Sequence, residues 1–351
     1  MHFVFVISNY GLGHATRMLP VIMKLIEQGE KVTIVAKGNS LLMLKNELGD
    51  ASNYELMQYE VPLKFSDKGF SMFETLKAGP SFISLISSQK KWLENFSAKE
   101  KIDRVIADGE IGYHLKNKKS FFVNNQLRLL PGSLLGDGTE LLTDVFSKGF
   151  EKVIVPDDEN GTLGGLLTSK TRFYDKKRLA YVGILSSIRK KNVVRNVDYF
   201  ISISGPGISK EVFTRQVMEQ LHLLKGKVVV ALGRPDLKEI ASKGNAKIYP
   251  YLNRKQQESF LNKAKLVISR SGYTTMMELA EIDKKAFFIP TLNHPEQEYL
   301  AKFQKNSGRF HYSKQDSFNF KEDIDEAKQY PGFKNVPKTK KSVEKFLEAI
   351  Y

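Results

Sequence analysis

The chain contains no cysteine. A disulfide-stapled scaffold and a thiolate-ligated zinc site are therefore excluded, which suits a cytosolic protein. No apolar run approaches the length needed to span a bilayer, and the apolar start from Met1 to Ile7 is too short for a secretion signal and lacks a basic leader and a cleavage site. It reads as a first strand. Low-complexity tracts and internal repeats are missing, as are an RNP aromatic pair, a zinc finger and a basic zipper, so nothing points to nucleic acid as a partner. Acidic residues are in the minority, 39 against 54 lysines and arginines, for a formal charge of +15. Such a balance draws a protein to anionic lipid or phosphorylated ligands.

At 351 residues the chain exceeds one typical domain and can bury two cores. The first half alternates short strands and helices: Phe3 to Ile7, a glycine turn with a helix from Thr16 to Gln28, Lys31 to Val35, and a helix from Ser40 to Glu47. Further strands are predicted at Arg104 to Ala107, Ser120 to Asn124, Lys152 to Pro156 and Leu179 to Val182. This is the pattern of a doubly wound parallel α/β sheet. A polar stretch with Ser186, Ser187 and the basic run Arg189-Lys190-Lys191 then reads as a linker. A second alternation starts at Asp198 to Ser204, continues through a helix from Glu211 to Leu224 and a strand from Val228 to Leu232, and ends before a polar tail with a helix at Ser342 to Ile350. The expected division is 1–185, a linker at 186–197, 198–330, and a tail at 331–351.

The stretch from Ser269 to Leu300 holds the densest set of candidate contacts. The apolar strand Leu266-Val267-Ile268 stops at Ser269-Arg270-Ser271-Gly272, after which Met277, Leu279, Ala280 and Ile282 have helical spacing. The start of such a helix offers backbone N–H groups to a phosphate, and Arg270, Ser271, Tyr273 and Thr274 add side-chain donors. Glu278, about one turn inside, is placed to accept the hydroxyls of a ribose. A second strand, Ala286 to Pro290, runs into Asn293-His294-Pro295-Glu296-Gln297, where Glu296 and Gln297 can hold sugar hydroxyls. Taken singly, each residue also fits a bland role as turn glycine or solvated charge.

In the first half, Asn9 to Arg17 follows the first strand, with Gly11 and Gly13 permitting close backbone approach and His14 at the start of a helix. Arg17 stands near where a dinucleotide fingerprint has its third glycine, and no Gly-Lys-Ser/Thr ending is present, which argues against dinucleotide and Walker sites. Asp108 and Glu110 follow one strand, and Asn124-Asn125-Gln126 follow the next. Asp108 can orient His14, bind an acceptor hydroxyl or act as a base itself. It also fits a strand-end turn.

The order of strand, SRxG-like turn, helix Glu and acidic-Gln pair resembles the donor module of MurG-type GT-B glycosyltransferases. The loop Gly11-Leu12-Gly13-His14-Ala15-Thr16-Arg17 is similar to the GxGHxxR form of uncharacterised archaeal and bacterial relatives and of the sugar-nucleotide hydrolase of pseudaminic acid synthesis. It lacks one of the paired glycines of MurG. The elements around Asp108 to Glu110 and Asn125-Gln126 are similar to those of the same relatives. Gly205 and Gly207 resemble the second glycine loop of MurG-type enzymes, and Tyr251-Leu252 stands where relatives hold the nucleobase by backbone groups, with Tyr251 able to stack on it.

The resemblance implies a GT-B fold: two Rossmann-like domains facing a central cleft, the first binding the acceptor, the second the nucleotide sugar, and the last helix crossing back to the first. It also implies inverting transfer from a nucleotide-diphosphate sugar, preferentially of uridine, with His14 at the reaction centre. Helix amino termini and Arg270 would stabilise the leaving diphosphate without a metal or cofactor. A hydrolase of the same donor, and a binding or epimerase-like protein, remain as rivals. Phe70, Phe73, Leu76 and a helix with Phe82, Leu85, Ile86, Leu93 and Phe96 form either a packed face or a contact for anionic membrane and a lipid-linked acceptor.

Overall fold

Short runs of valine, isoleucine and phenylalanine build this molecule. The six residues of β1, His2–Ile7, are all buried, as expected of a parallel strand covered by helices on both faces. The structure is a computed structural model and describes residues 1–9, 11–58, 80–129, 131–205 and 207–351. Two compact units emerge: residues 1–187 together with 337–351, and residues 188–336.

In the first unit, β1 is joined by β2 (Lys31–Ala36), β3 (Tyr54–Gln58), β4 (Arg104–Asp108), β5 (Lys119–Val123), β6 (Lys152–Val155) and β7 (Leu179–Tyr181). The order is β3-β2-β1-β4-β5-β6-β7, and neighbouring strands pair in parallel. Its helices are α1 (Gly13–Glu27), α2 (Gly38–Leu48), α3 (Pro80–Lys99) and α4 (Leu134–Ser147). The direction of winding reverses between β1 and β4, so their carboxyl ends flank the switch point where ligands of such sheets bind.

The second unit repeats the design with β8 (Val197–Ser202), β9 (Val228–Ala231), β10 (Ala241–Lys243), β11 (Ala246–Tyr249), β12 (Ala264–Ser269), β13 (Ala286–Phe288) and β14 (His311–Tyr312). Their order is β10-β11-β9-β8-β12-β13-β14; only β10 runs antiparallel to its neighbour. Helices α5 (Gly207–Gln220), α6 (Arg254–Lys263), α7 (Tyr273–Glu281), α8 (Pro295–Asn306) and α9 (Phe320–Gln329) accompany it. Here the switch point lies between β8 and β12.

Two features differ from the sequence-based expectations. β3 has no clear alternation, its residues being half-buried or exposed at the sheet edge, so its pattern does not announce a strand. The expected linker at 186–197 is seated rather than free. Ile188 is buried, and the backbone N–H groups of Arg189 and Lys191 donate to Glu258 Oε1 and Asn262 Oδ1 of α6, each at 2.8 Å.

The last helix, α10 (Thr339–Ile350), belongs to the first unit. Its apolar face buries Val343, Phe346, Leu347 and Ile350. Arg104 Nε donates to the Ile350 carbonyl at 2.9 Å, and the Tyr351 ring meets Phe3 edge to face at 5.6 Å. Gly183 has φ +91°, and a Cβ there would come within 2.7 Å of Ser342 Oγ, so the helix approaches as closely as a glycine permits. Truncating the fully buried Phe346 to alanine should destabilise the first unit by about 4 kcal/mol, read as a shift in the urea midpoint. An unchanged midpoint would mean that this helix adds nothing to the core.

Candidate active site

At the switch point of the first unit, α1 and the end of β4 place three ionisable groups together. His14 lies one residue into α1, whose N-cap Leu12 makes no side-chain cap. Gly11, at φ +74°, turns the chain into this helix. Asp108 ends β4 with its side chain 1% exposed. His14 Nδ1 is 3.0 Å from Asp108 Oδ1. Arg17, one turn further along α1 and also buried, donates from Nε to Asp108 Oδ2 at 2.9 Å, from Nη2 to Oδ1, and from Nη1 to Asn125 Oδ1 at 2.6 Å.

Burial alone would push the Asp108 carboxyl up, but the Arg17 and His14 charges and hydrogen bonds outweigh it and hold its pKa below the usual value. The ionised carboxylate accepts, so His14 Nδ1 must carry the hydrogen that it donates. The Arg17 Nη2 atom, 3.1 Å from the same Nδ1, is then a close neighbour and not a second hydrogen bond. In the neutral ring Nε2 then holds the lone pair, on the one side chain of the three with appreciable exposure, 19%. Of the roles open to Asp108, this geometry supports orienting His14.

A residue that the motif reading passed over completes the arrangement. Gly109 has φ +73°, and a Cβ there would fall 2.7 Å from His14 Cε1, so the glycine makes room for the ring. Other expected members of the cluster turn elsewhere. Glu110 is buried and accepts from Gln89 Nε2 of α3 at 2.7 Å, which ties it to that helix. Gln126 is clamped through its backbone, its N–H donating to Asn124 Oδ1 at 2.9 Å and its carbonyl accepting from Asn124 Nδ2 at 2.7 Å.

In the second unit, Gly272 is the N-cap of α7, and its φ of −71° needs no glycine. A Cβ there would meet only Thr275 Oγ1, at 3.8 Å, so the helix start is open. Thr274 is half-buried, whereas Tyr273 is buried. Gly205 at φ +125° and Gly207 at φ +35° lead from β8 into α5 on the other side of the switch point.

Arg270, expected from the sequence to donate to a phosphate, lies beneath the start of α7. Its side chain is sealed inside the unit: Nη1 donates to the carbonyls of Ile289 at 2.9 Å and Pro290 at 3.0 Å, Nη2 donates to Gln315 Oε1 at 2.8 Å, and the guanidinium lies 3.9 Å from the Phe213 ring centroid. Burial presses its pKa down, and carbonyl dipoles with a ring face compensate the charge. The residue braces the floor of the site by joining the β12 loop to α5 and the end of β13. The Ser271 hydroxyl is likewise engaged, donating to the Gln297 carbonyl at 2.7 Å.

Glu278 is buried, and its Oε1 accepts from Arg254 Nη2 at 2.5 Å. Arg254 follows the N-cap Asn253, whose capping box with Gln256 fixes the start of α6. Sequence gave no sign that a cation on α6 meets the carboxylate on α7. Gln297 Oε1 accepts from the Thr291 N–H at 2.9 Å, which directs its Nε2 away as a donor. His294 caps α8 by accepting from the Gln297 N–H at 3.5 Å, and burial lowers its pKa, keeping the ring neutral for that task. Glu296 is half-buried in the first turn of the same helix. Tyr251 is 48% exposed, open to stacking, beside the buried Leu252.

The aromatic stretch predicted as a packed face or membrane contact divides. Phe70, Phe73 and Leu76 lie outside the described residues. In α3, Leu93 is fully buried with Trp92 and Phe96 packed around the same core, so that part of the helix faces inward.

Residues 203–350 match the family model described as glycosyltransferase family 28 C-terminal domain. The calicheamicin glycosyltransferase CalG4 is similar with TM-score 0.64 and 12% identity, covering 99% of this chain and 94% of that one. Acinetobacter baumannii MurG has TM-score 0.55 and 15% identity over 99% of both chains. Arabidopsis thaliana UGT89C1, solved with UDP-L-rhamnose, has TM-score 0.61 and 11% identity over 99% and 93%. At these identities the likeness carries the fold. No curated protein sequence matches the chain. The fold is the two-unit α/β architecture of GT-B glycosyltransferases. The match to the family 28 carboxyl-terminal domain takes in most of the second unit and the last helix.

The Asp108 pair has a consequence for stability. Because its folded pKa lies below the unfolded value of about 3.9, its contribution is present above that pH and is lost as pH falls through the folded value. Asp108→Asn should cost about 3–5 kcal/mol at neutral pH by stranding buried Arg17, and should flatten the acid limb of stability against pH. Urea titrations from neutral to acid pH measure both. An unaltered acid limb would rule out the buried ion pair.

Proposed function

We propose that the protein transfers a sugar from a nucleoside diphosphate sugar, with uridine as the preferred base, to a hydroxyl acceptor, with inversion at the anomeric carbon. The observation that carries the reading is the His14–Asp108 contact, which leaves Nε2 as an acceptor for a proton. As the acceptor oxygen bonds to the anomeric carbon, Nε2 takes its hydrogen, and the bond from that carbon to the diphosphate oxygen breaks. Asp108 steadies the imidazolium that forms, and Arg17 keeps Asp108 in place.

The second unit supplies the donor grip. The open start of α7 at Gly272, Tyr273 and Thr274 suits the diphosphate, by backbone N–H groups and the helix dipole in place of the Arg270 side chain. Glu278, braced by Arg254, suits the ribose; Glu296 and the Gln297 amide suit sugar hydroxyls; Tyr251 offers a face to the base. Gly205 and Gly207 border this site from the opposite strand. The acceptor is a sugar or a lipid-linked hydroxyl compound.

Water is the competing acceptor, because His14 Nε2 can deprotonate it equally well. Release of free sugar at full rate without added acceptor would establish the hydrolase instead, and donor binding without any turnover would establish a binding protein. His14→Ala should lower turnover about 1,000-fold while leaving UDP affinity in calorimetry unchanged, and Glu278→Gln should weaken that affinity about tenfold. If wild-type protein bound neither nucleotides nor nucleotide sugars, the reading would fail. Gly109→Ala retains the imidazole but crowds it. It should lower kcat about 100-fold with UDP affinity intact, and undiminished turnover would mean that the ring position seen here is not the working one.

A further inference from the structure

Thr291 is the residue that follows the two carbonyls held by Arg270, those of Ile289 and Pro290. Its own backbone is engaged on both sides: the N–H donates to Gln297 Oε1 at 2.9 Å, and the carbonyl accepts from the His294 N–H at 3.2 Å. The residue is 4% exposed. Its place and direction are therefore fixed from three sides.

The hydroxyl stands apart from this economy of contacts. Oγ1 is buried and has no hydrogen-bond partner among the described residues. A buried hydroxyl left unpaired is destabilising, and valine, of nearly the same shape, would fill the position without that cost. Threonine here makes sense if the partner arrives with a ligand.

The surroundings say which part of a ligand that is. Oγ1 is the one described atom, chain neighbours apart, within 4 Å of a Cβ built on Gly205, at 3.9 Å. The hydroxyl thus faces the glycine turn that leads from β8 into α5. Gly205 borders the diphosphate in the site proposed above, and Gln297, tied to the Thr291 backbone, borders the sugar. Between them lies the phosphate that bears the sugar. A second hydroxyl, that of Ser209, has a buried oxygen that is likewise unpartnered. Ser209 lies one turn before Phe213, on the face of α5 that covers Arg270. Both hydroxyls are carried by the elements that Arg270 joins, α5 and the end of β13.

We infer that Thr291 is a further catalytic residue, whose hydroxyl donates a hydrogen bond to an oxygen of the sugar-bearing phosphate. The bond strengthens as the link from that phosphate to the anomeric carbon breaks and negative charge gathers on the leaving diphosphate. Thr291 keeps its proton throughout. Arg270 is a positioning residue that acts through it, by holding the segment that aims the hydroxyl. The inference rests on the donor site proposed above.

Thr291→Val and Thr291→Ser test it, by calorimetry with UDP and UMP, donor turnover, and the melting temperature of ligand-free protein. The valine variant should melt at or above the wild-type temperature, weaken UDP about tenfold, leave UMP within about twofold, and lower kcat about 100-fold. Serine, which keeps the hydroxyl, should hold UDP affinity within about threefold of wild type. A threonine with a merely structural role would give a lower melting temperature with valine, or equal losses for UDP and UMP, and either result overturns the inference. UDP affinity and kcat that valine leaves unchanged would overturn it while sparing the donor site. Wild-type protein that binds neither UDP nor UMP would overturn both.

Discussion

A carboxylate sealed from water keeps its charge only when a compensating charge is sealed in with it. Asp108 is such a carboxylate, and Arg17 is its compensation. From this pairing follow the hydrogen on His14 Nδ1 and the seating of α1 against the end of β4. Asn125 from the next strand takes the remaining arm of Arg17, so three elements meet at one guanidinium. Of the three ionisable side chains, His14 alone keeps appreciable contact with solvent. Its chemistry is set from below, by groups that a ligand need never touch.

The second unit solves the same problem in two ways. Glu278 is compensated by Arg254, a neighbour on another helix. Arg270 has no carboxylate beside it and relies on two backbone carbonyls, an amide oxygen and the face of Phe213. The difference divides their roles. A carboxylate whose Oε1 alone is taken by Arg254 keeps capacity to accept from a ligand, whereas a guanidinium whose Nη atoms donate to carbonyl and amide oxygens serves as a brace. Both sheets accordingly present, at their switch points, helix starts above a buried and compensated charge.

Periodicity and glycine placement made the alternation of strands and helices legible, because apolar runs bounded by turns have few other uses. The pairing of His14 with Asp108 was legible as a possibility, since both follow strands that become neighbours in a doubly wound sheet. Direction of side chains was not. Arg270 beside a glycine turn reads as a phosphate donor until Phe213 and the Ile289 and Pro290 carbonyls are seen around it. Glu110 follows the same strand as Asp108, and its tie to Gln89 has no signal in the pattern. Arg254 and Gly109 escaped because their meaning lies in distant partners, a carboxylate 24 positions away and an imidazole 95 positions away.

The return of α10 makes the second unit an insertion within the first. Residues 188–336 form a contiguous piece of chain with its own core, able to finish folding as soon as it has been synthesised. The first unit has no such freedom. Its earliest residues, Phe3 among them, wait for Tyr351 and the α10 face to close over them. The half of the molecule that carries His14 is therefore closed only by chain that follows the inserted unit.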